Sequence, residues 1–517
     1  MYAFSFIIIF VLSIFSVTLN ASNLLQYVVV PQPFADTYGA ACLDSSPPSY
    51  YISLQDPNRF IIFIEGGGWA FDTTVNGTIA AAASRAMGGG GSSKYNGATM
   101  NVGGMLSTDP TINPYFYNYS MVFIHYCDGS SHSSDANAPI PVPMEIRQQL
   151  EQDARNNPTE YQTLTAPSQI YFRGRANLLA ILNYLKQNTT IGTASEIIVS
   201  GGSAGATSVY LGLDAIPSLF PNAKILGAPD AGYFLDAYNV GQQIMWFRTC
   251  FQAADQVWNS TGSGNVNQRC LQAYPNETWK CFLPQYFAVM IITPYIILNS
   301  GYDIFQVVAD LQLGCVPSTN GQSIGGYPSC NAEQLTIMQA YHVSILEALV
   351  SPLSVPSTGA FIDSCFVHET NVDYCSSQAL PNCVGWRIYN ITLPMSEEPT
   401  TIQALPSINM VETTYQWYSN TVNNWNTIIE ERKEFMRTII DPAITNGIDV
   451  IKRSVEYYFQ NLAEEKKNTD SEEKLFIPRL RYKNNVSSDN AIVQIIDQVN
   501  YPNNPTCPFP TPAAKYN

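Results

Sequence analysis

The stretch SEIIVSGGSAGATSVYLGL, Ser195 to Leu213, holds the side chain best placed to do chemistry. Ile197, Ile198 and Val199 form a short β-branched run, Gly201-Gly202-Ser203-Ala204-Gly205 follows, and small and apolar residues then recur at helical spacing. That order predicts a strand, a sharp turn and a helix. On such a turn the serine is lifted out of the sheet, and small residues two before and two after it let strand and helix backbones pass closely. Its hydroxyl is a nucleophile in need of a base, and backbone N–H groups at the helix start can face an oxyanion. A Gly-rich turn with an incidental serine reads the same, so the partners must decide.

Arg59 to Ile64, RFIIFI, predicts a buried strand that runs into Glu65-Gly66-Gly67-Gly68-Trp69. Three glycines after a strand let amides point into a site unobstructed, the form expected of a second oxyanion loop, although a structural tight turn has the same composition. A serine hydrolase also needs an acid and, after it, a histidine. The apolar run Val289 to Ser300, read as a strand, is followed by Gly301-Tyr302-Asp303, where such folds keep the acid; Asp230, Asp236 and Asp310 compete for the role. Of four histidines, His125 and His132 precede the serine, and His342 lies in the helical, mostly apolar MQAYHVSILEAL, where a packed histidine is expected. His368 sits in the loop-like FIDSCFVHE with Cys365 able to pin it. Ser203, Asp303, His368 is the hydrolase order.

The elements around these residues alternate. Ser120 to Tyr126 predicts a strand, Tyr171 to Gln187 a helix packed on the sheet, and Lys224 to Leu226 the start of a strand that leads to Asp230. Strand, helix, strand, turn, helix predicts an α/β fold with a mostly parallel, α/β-hydrolase-like sheet, helices on both faces and helical insertions. Met87 to Met105, rich in Gly and Ser, reads as a surface loop, and Asp135 to Ser168 as an insertion over the surface. Glu412 to Lys474 is charged, long and helical, and reads as a solvated excursion. The division expected is a leader at 1–21, a catalytic domain at 22–411, a helical insertion or extension at 412–490 and a C-terminal segment, 491–517, packed on the catalytic domain.

With 517 residues, 46% hydrophobic and 13% charged, the chain can bury a large core. Its 41 acidic against 25 basic residues give a formal charge of −16, which disfavours nucleic acid and anionic membrane surfaces as partners. Tyr2 to Val17 is almost wholly apolar and precedes Asn20-Ala21-Ser22, the pattern of a secretory signal; it is short for a membrane anchor, and no stable membrane insertion is expected. Sequons at Asn76, Asn118, Asn188, Asn259, Asn276, Asn390 and Asn485 agree with a secreted glycoprotein. Eleven cysteines in that compartment should pair with one left over, and their spacing shows no zinc pattern.

The chain resembles the pectin acetylesterase family, which also includes the Notum carboxylesterase. The resemblance is carried by CLDSSPP at Cys42, IEGGGW at Glu65, SSKY with GGMLS leading to NPYFYNYS, YCDGSS at Cys127, FRGRANLLA at Arg173 and GGSAG around Ser203. It continues through DAGYFLD at Asp230, CFLPQ at Cys281, TPYIILNSGYDIFQ with Asp303, SCFVHE with His368, and YPNNPTC at Tyr501. It implies Ser203 as nucleophile, Asp303 as acid, His368 as base, the amides of Gly67, Gly68 and Ala204 as oxyanion hole, Trp69 at the substrate, and a Cys42–Cys127 bridge. The substrate it implies is an acylated polysaccharide, the acyl group acetyl, with no metal or cofactor. A Notum-like lipid deacylase is the rival enzyme, marked by a deep apolar pocket beside Trp69, and a glycan-binding protein without turnover is the rival class. Three departures stand out. Ala70 replaces the cysteine usual after the GGGW-type loop and its partner is also missing, Ala206 replaces a glycine, and Cys507 has lost a cysteine neighbour, which makes it a candidate for the odd thiol.

Overall fold

The computed structural model describes residues 24–315, 330–370, 409–467 and 494–496; the expected leader lies outside them. One sheet is built from β1 (Leu24–Val29), β2 (Ser49–Ser53), β3 (Asp56–Ile64), β4 (Thr99–Asn101), β5 (Tyr119–Ile124), β6 (Glu196–Gly202), β7 (Lys224–Asp230), β8 (Ile296–Ser300), β9 (Gly359–Asp363) and β10 (Gln494–Ile496). Their order is β10-β9-β8-β7-β6-β3-β5-β2-β1-β4. Pairing is parallel from β10 through β5 and antiparallel beyond it.

Both faces of this sheet are covered, which is why its strands read as continuous apolar runs. Along β3, Phe60, Ile62 and Ile64 enter one core while Ile61 and Phe63 enter the other. The first face carries α1 (Val75–Ala86), α2 (Gly174–Asn188), α3 (Ala204–Gly212), α4 (Trp246–Trp258) and α5 (Ala332–Leu353). The second is covered by the loop that holds Met105, Leu106 and Phe116 and by α6 (Met410–Asn423), which buries Met410, Val411, Trp417 and Tyr418. No described helix is long and apolar enough to cross a membrane.

Three expectations change. The strand read from Val289 opens only at Ile296, because Pro294 has no N–H to donate and its carbonyl takes the Gly227 N–H at 2.8 Å. The stretch Met87 to Met105 is no surface loop: Ser92 and Ser93 are buried, Ser92 Oγ donates to Asp44 at 2.7 Å, and β4 pairs with β1. The helices beyond residue 409 are not a solvated excursion. Besides α6, α7 (Trp425–Phe435) buries Ile428, Arg432 and Phe435, and α8 (Val450–Lys467) meets α5 through the hydroxyls of Ser351 and Ser454, 2.8 Å apart.

Disulfides join Cys42 to Cys127, Cys270 to Cys281 and Cys315 to Cys330, and Cys365 is also disulfide-bonded. Among the described residues the free thiol is Cys250, buried in α4; Cys507 lies outside them.

Candidate active site

The sheet order brings the predicted loops together. β3 and β6 are neighbours, with Ile64 opposite Gly201, so the glycine loop and the Ser203 turn leave the same end of the sheet side by side. β7, β8 and β9 end there too, and the carboxyl ends of parallel strands are where such folds place ligands.

Ser203 joins β6 to α3 with φ 53° and ψ −122°, a strained conformation for a non-glycine residue, and is 3% exposed. Its N–H donates to the Asp230 carbonyl at 2.9 Å. The small residues around it are required: a Cβ on Gly205 would stand 2.1 Å from the Ile64 carbonyl oxygen. Gly67 and Gly68 have φ of 125° and 67°, which side chains resist, and Gly68 faces open space. Arg85 of α1 donates to the Gly67 carbonyl at 2.8 Å and Ala70 N–H to Gly129 at 2.7 Å, so this loop is held without the cysteine that Ala70 replaces. Ala204, implied as the other oxyanion donor, opens α3 and is fully buried.

Asp303, fully buried after β8, reaches His368 Nδ1 with Oδ2 at 2.7 Å and accepts the Gln306 N–H on Oδ1 at 3.0 Å. Burial works against a charged His368 ring, but the Asp303 charge and hydrogen bond outweigh it and raise the pKa to about 9. With Nδ1 committed to the acid, Nε2 is the nitrogen left for proton transfer. Phe305 stacks on the imidazole at 5.4 Å.

The competing acids lie elsewhere or are bonded to other groups. Asp230 takes the Thr370 N–H on its carboxylate, so the Ser203 turn and the segment after His368 hang on one residue. Asp236 binds Arg248 and the Tyr286 hydroxyl. Asp310 is buried without a hydrogen-bond partner, and burial drives its carboxyl pKa well up. The other histidines are structural: His125 bonds Glu65 at 2.7 Å, His132 lies 3.4 Å from Asp128, and His342 stacks on Tyr302.

Trp69 is 8% exposed, and the rings of Phe71, Phe234, Phe247, Phe251 and Phe305 close around it at 5.0 to 6.2 Å. Its Nε1 donates to Ser131 Oγ, which donates to the Ala204 carbonyl, each at 2.7 Å. The indole that ends the glycine loop is thus packed among other aromatic rings, where a ring at the substrate was expected. Ser131 and Glu369 were missed in the sequence. For Ser131 the only signal was the serine-rich run after Cys127; for Glu369 it was adjacency to His368.

A family model described as Pectinacetylesterase matches residues 23–390. The chain is similar to pectin acetylesterase 11 of Arabidopsis thaliana, 29% identical over 338 residues that cover 64% of this chain and 76% of the relative. It is also similar to palmitoleoyl-protein carboxylesterase notum1a of Danio rerio, 26% identical over 303 residues, 56% of this chain and 53% of that one. This chain therefore spans about half the length of that Notum relative. Among solved structures, the Wnt deacylase Notum from Drosophila shares the fold with a TM-score of 0.57 at 20% identity, over 77% of this chain and 94% of that one. Motifs, fold and matched span agree: the chain is an ester-hydrolysing enzyme and belongs to the pectinacetylesterase family.

Proposed function

We propose that the enzyme is a secreted serine carboxylesterase that removes acetyl groups from polysaccharide. The observation that carries the catalytic assignment is the 2.7 Å bond from Asp303 to His368, set beside a strained serine turn. His368 Nε2 takes the Ser203 proton as Oγ bonds to the ester carbonyl carbon, and the amides of Gly67, Gly68 and Ala204 hold the oxyanion. Collapse breaks the ester C–O bond while His368 gives its proton to the departing sugar oxygen, which leaves as a hydroxyl. Water, deprotonated by the same imidazole, then releases acetate and frees Ser203. Asp303 fixes the tautomer throughout.

Acetyl is favoured over a long acyl chain because the space beside Trp69 is filled by aromatic rings. Disulfides agree with an oxidising compartment, and the sequon asparagines Asn76, Asn188 and Asn276 are exposed. The test is acetate release from a panel of acetylated polysaccharides, with nitrophenyl esters of rising acyl length beside it. Ser203→Ala must abolish turnover with the fold intact; activity retained in that variant rejects the assignment. Faster turnover of long acyl esters than of acetyl would turn the reading to a lipid deacylase.

A further inference from the structure

We propose that Glu369 is a further positioning residue of this site, its carboxyl wedged between the nucleophile turn and the glycine loop and its charge set beside His368. The inference rests on the Ser203, Asp303, His368 assignment above. Glu369 has φ 57°, a conformation that glutamate rarely adopts, and its carboxyl lies at the ends of β3 and β6, beside Gly66 and Gly202. A Cβ on Gly202 would lie 2.7 Å from the Glu369 carboxyl carbon, and one on Gly66 would lie 2.5 Å from its Oε1. The same Cβ on Gly66 would stand 3.0 Å from Ser203 Cβ. The carboxyl therefore fills the gap between the residue before the nucleophile and the first glycine of the loop. It is fixed on both sides in the chain, since His368 is bound to Asp303 and the Thr370 N–H to the Asp230 carboxylate.

The groups around Glu369 are mostly acidic. Asp230 at the end of β7, Asp303 after β8 and Glu65 after β3 act on it, and Glu65 is itself bonded to His125. Arg85 reaches the glycine loop but is spent on the Gly67 carbonyl. Burial, with those three carboxylates, raises the Glu369 pKa to about 7, while His368 works against the rise. Below that pH the wedge is neutral. Above it, Glu369 places a second negative charge beside the imidazole, which favours the imidazolium and delays its deprotonation to higher pH.

The experiment is the rate of Ser203 labelling by a fluorophosphonate, followed against pH in the wild type, Glu369→Gln and Glu369→Asp. Labelling needs a neutral His368 and not the natural substrate. In Glu369→Gln, which keeps the shape and removes the charge, the midpoint of the rising limb should move down by about half a pH unit or more. Glu369→Asp should restore the midpoint but label at least about fivefold more slowly, because its shortened side chain leaves the gap unfilled. A wild-type midpoint in the Gln variant overturns the proposal. Should that variant fail to fold, a wild-type labelling rate in the Asp variant overturns it instead. Peptide mapping that finds no label on Ser203 in the wild type rejects the catalytic assignment itself, a different outcome from either.

Discussion

Asp303 holds His368 through one 2.7 Å hydrogen bond, and that bond governs both the tautomer and the charge of the ring. Asp303→Asn keeps the shape but can leave Nδ1 unprotonated and Nε2 without a free lone pair, so kcat should fall about 10⁴-fold with the fold intact, as single-turnover acetate release would report. In the wild type the base must be neutral to accept the serine proton. With the His368 pKa raised to about 9, kcat/KM should climb with pH, reach half its limit near 9 and level off only above that, and a plateau reached already by pH 7 would contradict this. The stability sign is opposite. A pKa raised on folding contributes stability that is complete below the ordinary value of 6.5 and is lost as pH rises through about 9. At this scale Ser203 and His368 could be read from motif and chain order alone. Position alone favoured Asp303 only modestly over Asp230, Asp236 and Asp310, and the resemblance then chose it; the fold shows Asp230 spent on Thr370, Asp236 on Arg248 and Asp303 on His368. Glu369 offered only its adjacency to His368, because the role proposed for it depends on a positive φ that no local pattern announces.

The glycine loop shows how one element substitutes for another. Family resemblance marked the absence of a cysteine at Ala70 but offered no replacement; the structure supplies Arg85 of α1, whose guanidinium holds the Gly67 carbonyl and lies over Tyr126. Arg85→Met keeps much of the stem and releases the carbonyl, so kcat should drop about 10- to 100-fold with KM little changed, since misplaced oxyanion amides act on the transition state. A change confined to KM would instead assign Arg85 to substrate binding. The Cys42–Cys127 bridge ties the segment before β2 to the end of β5 across a sequence separation of 85. A loop of that length predicts roughly 4 to 5 kcal/mol lost when both cysteines become serine, measured by urea unfolding. That pairing was available from the resemblance alone. The buried serines at 92 and 93 were not, because Gly- and Ser-rich composition does not distinguish a surface loop from one packed under β1 and β5.

The sheet, its parallel core and its covering helices were legible because period and order survive in the sequence, whereas the place of the last helices was not. WNTIIEERKEF looks solvated: three acids and two bases surround a narrow apolar stripe. Yet Arg432, within that charged run, is fully buried. Its guanidinium donates to the carbonyls of Ile292 at 2.6 Å, Pro356 at 2.7 Å and Ile291 at 3.0 Å and to the Thr358 hydroxyl at 3.0 Å. These groups precede β8 and β9, the strands that lead to Asp303 and His368, so one cation from the C-terminal helices holds the start of both. Burial lowers its pKa only to about 10, so it stays charged at neutral pH. Arg432→Met fills much of the same volume but strands several carbonyls, and should cost about 3 to 5 kcal/mol in chemical unfolding. The control is Arg437→Met, five residues further on: among the described residues it pairs with Glu434 on the surface, and its loss should leave the unfolding midpoint close to that of the wild type. Equal costs would return these helices to a solvated appendage. The expected contrast makes them a structural part of the catalytic domain.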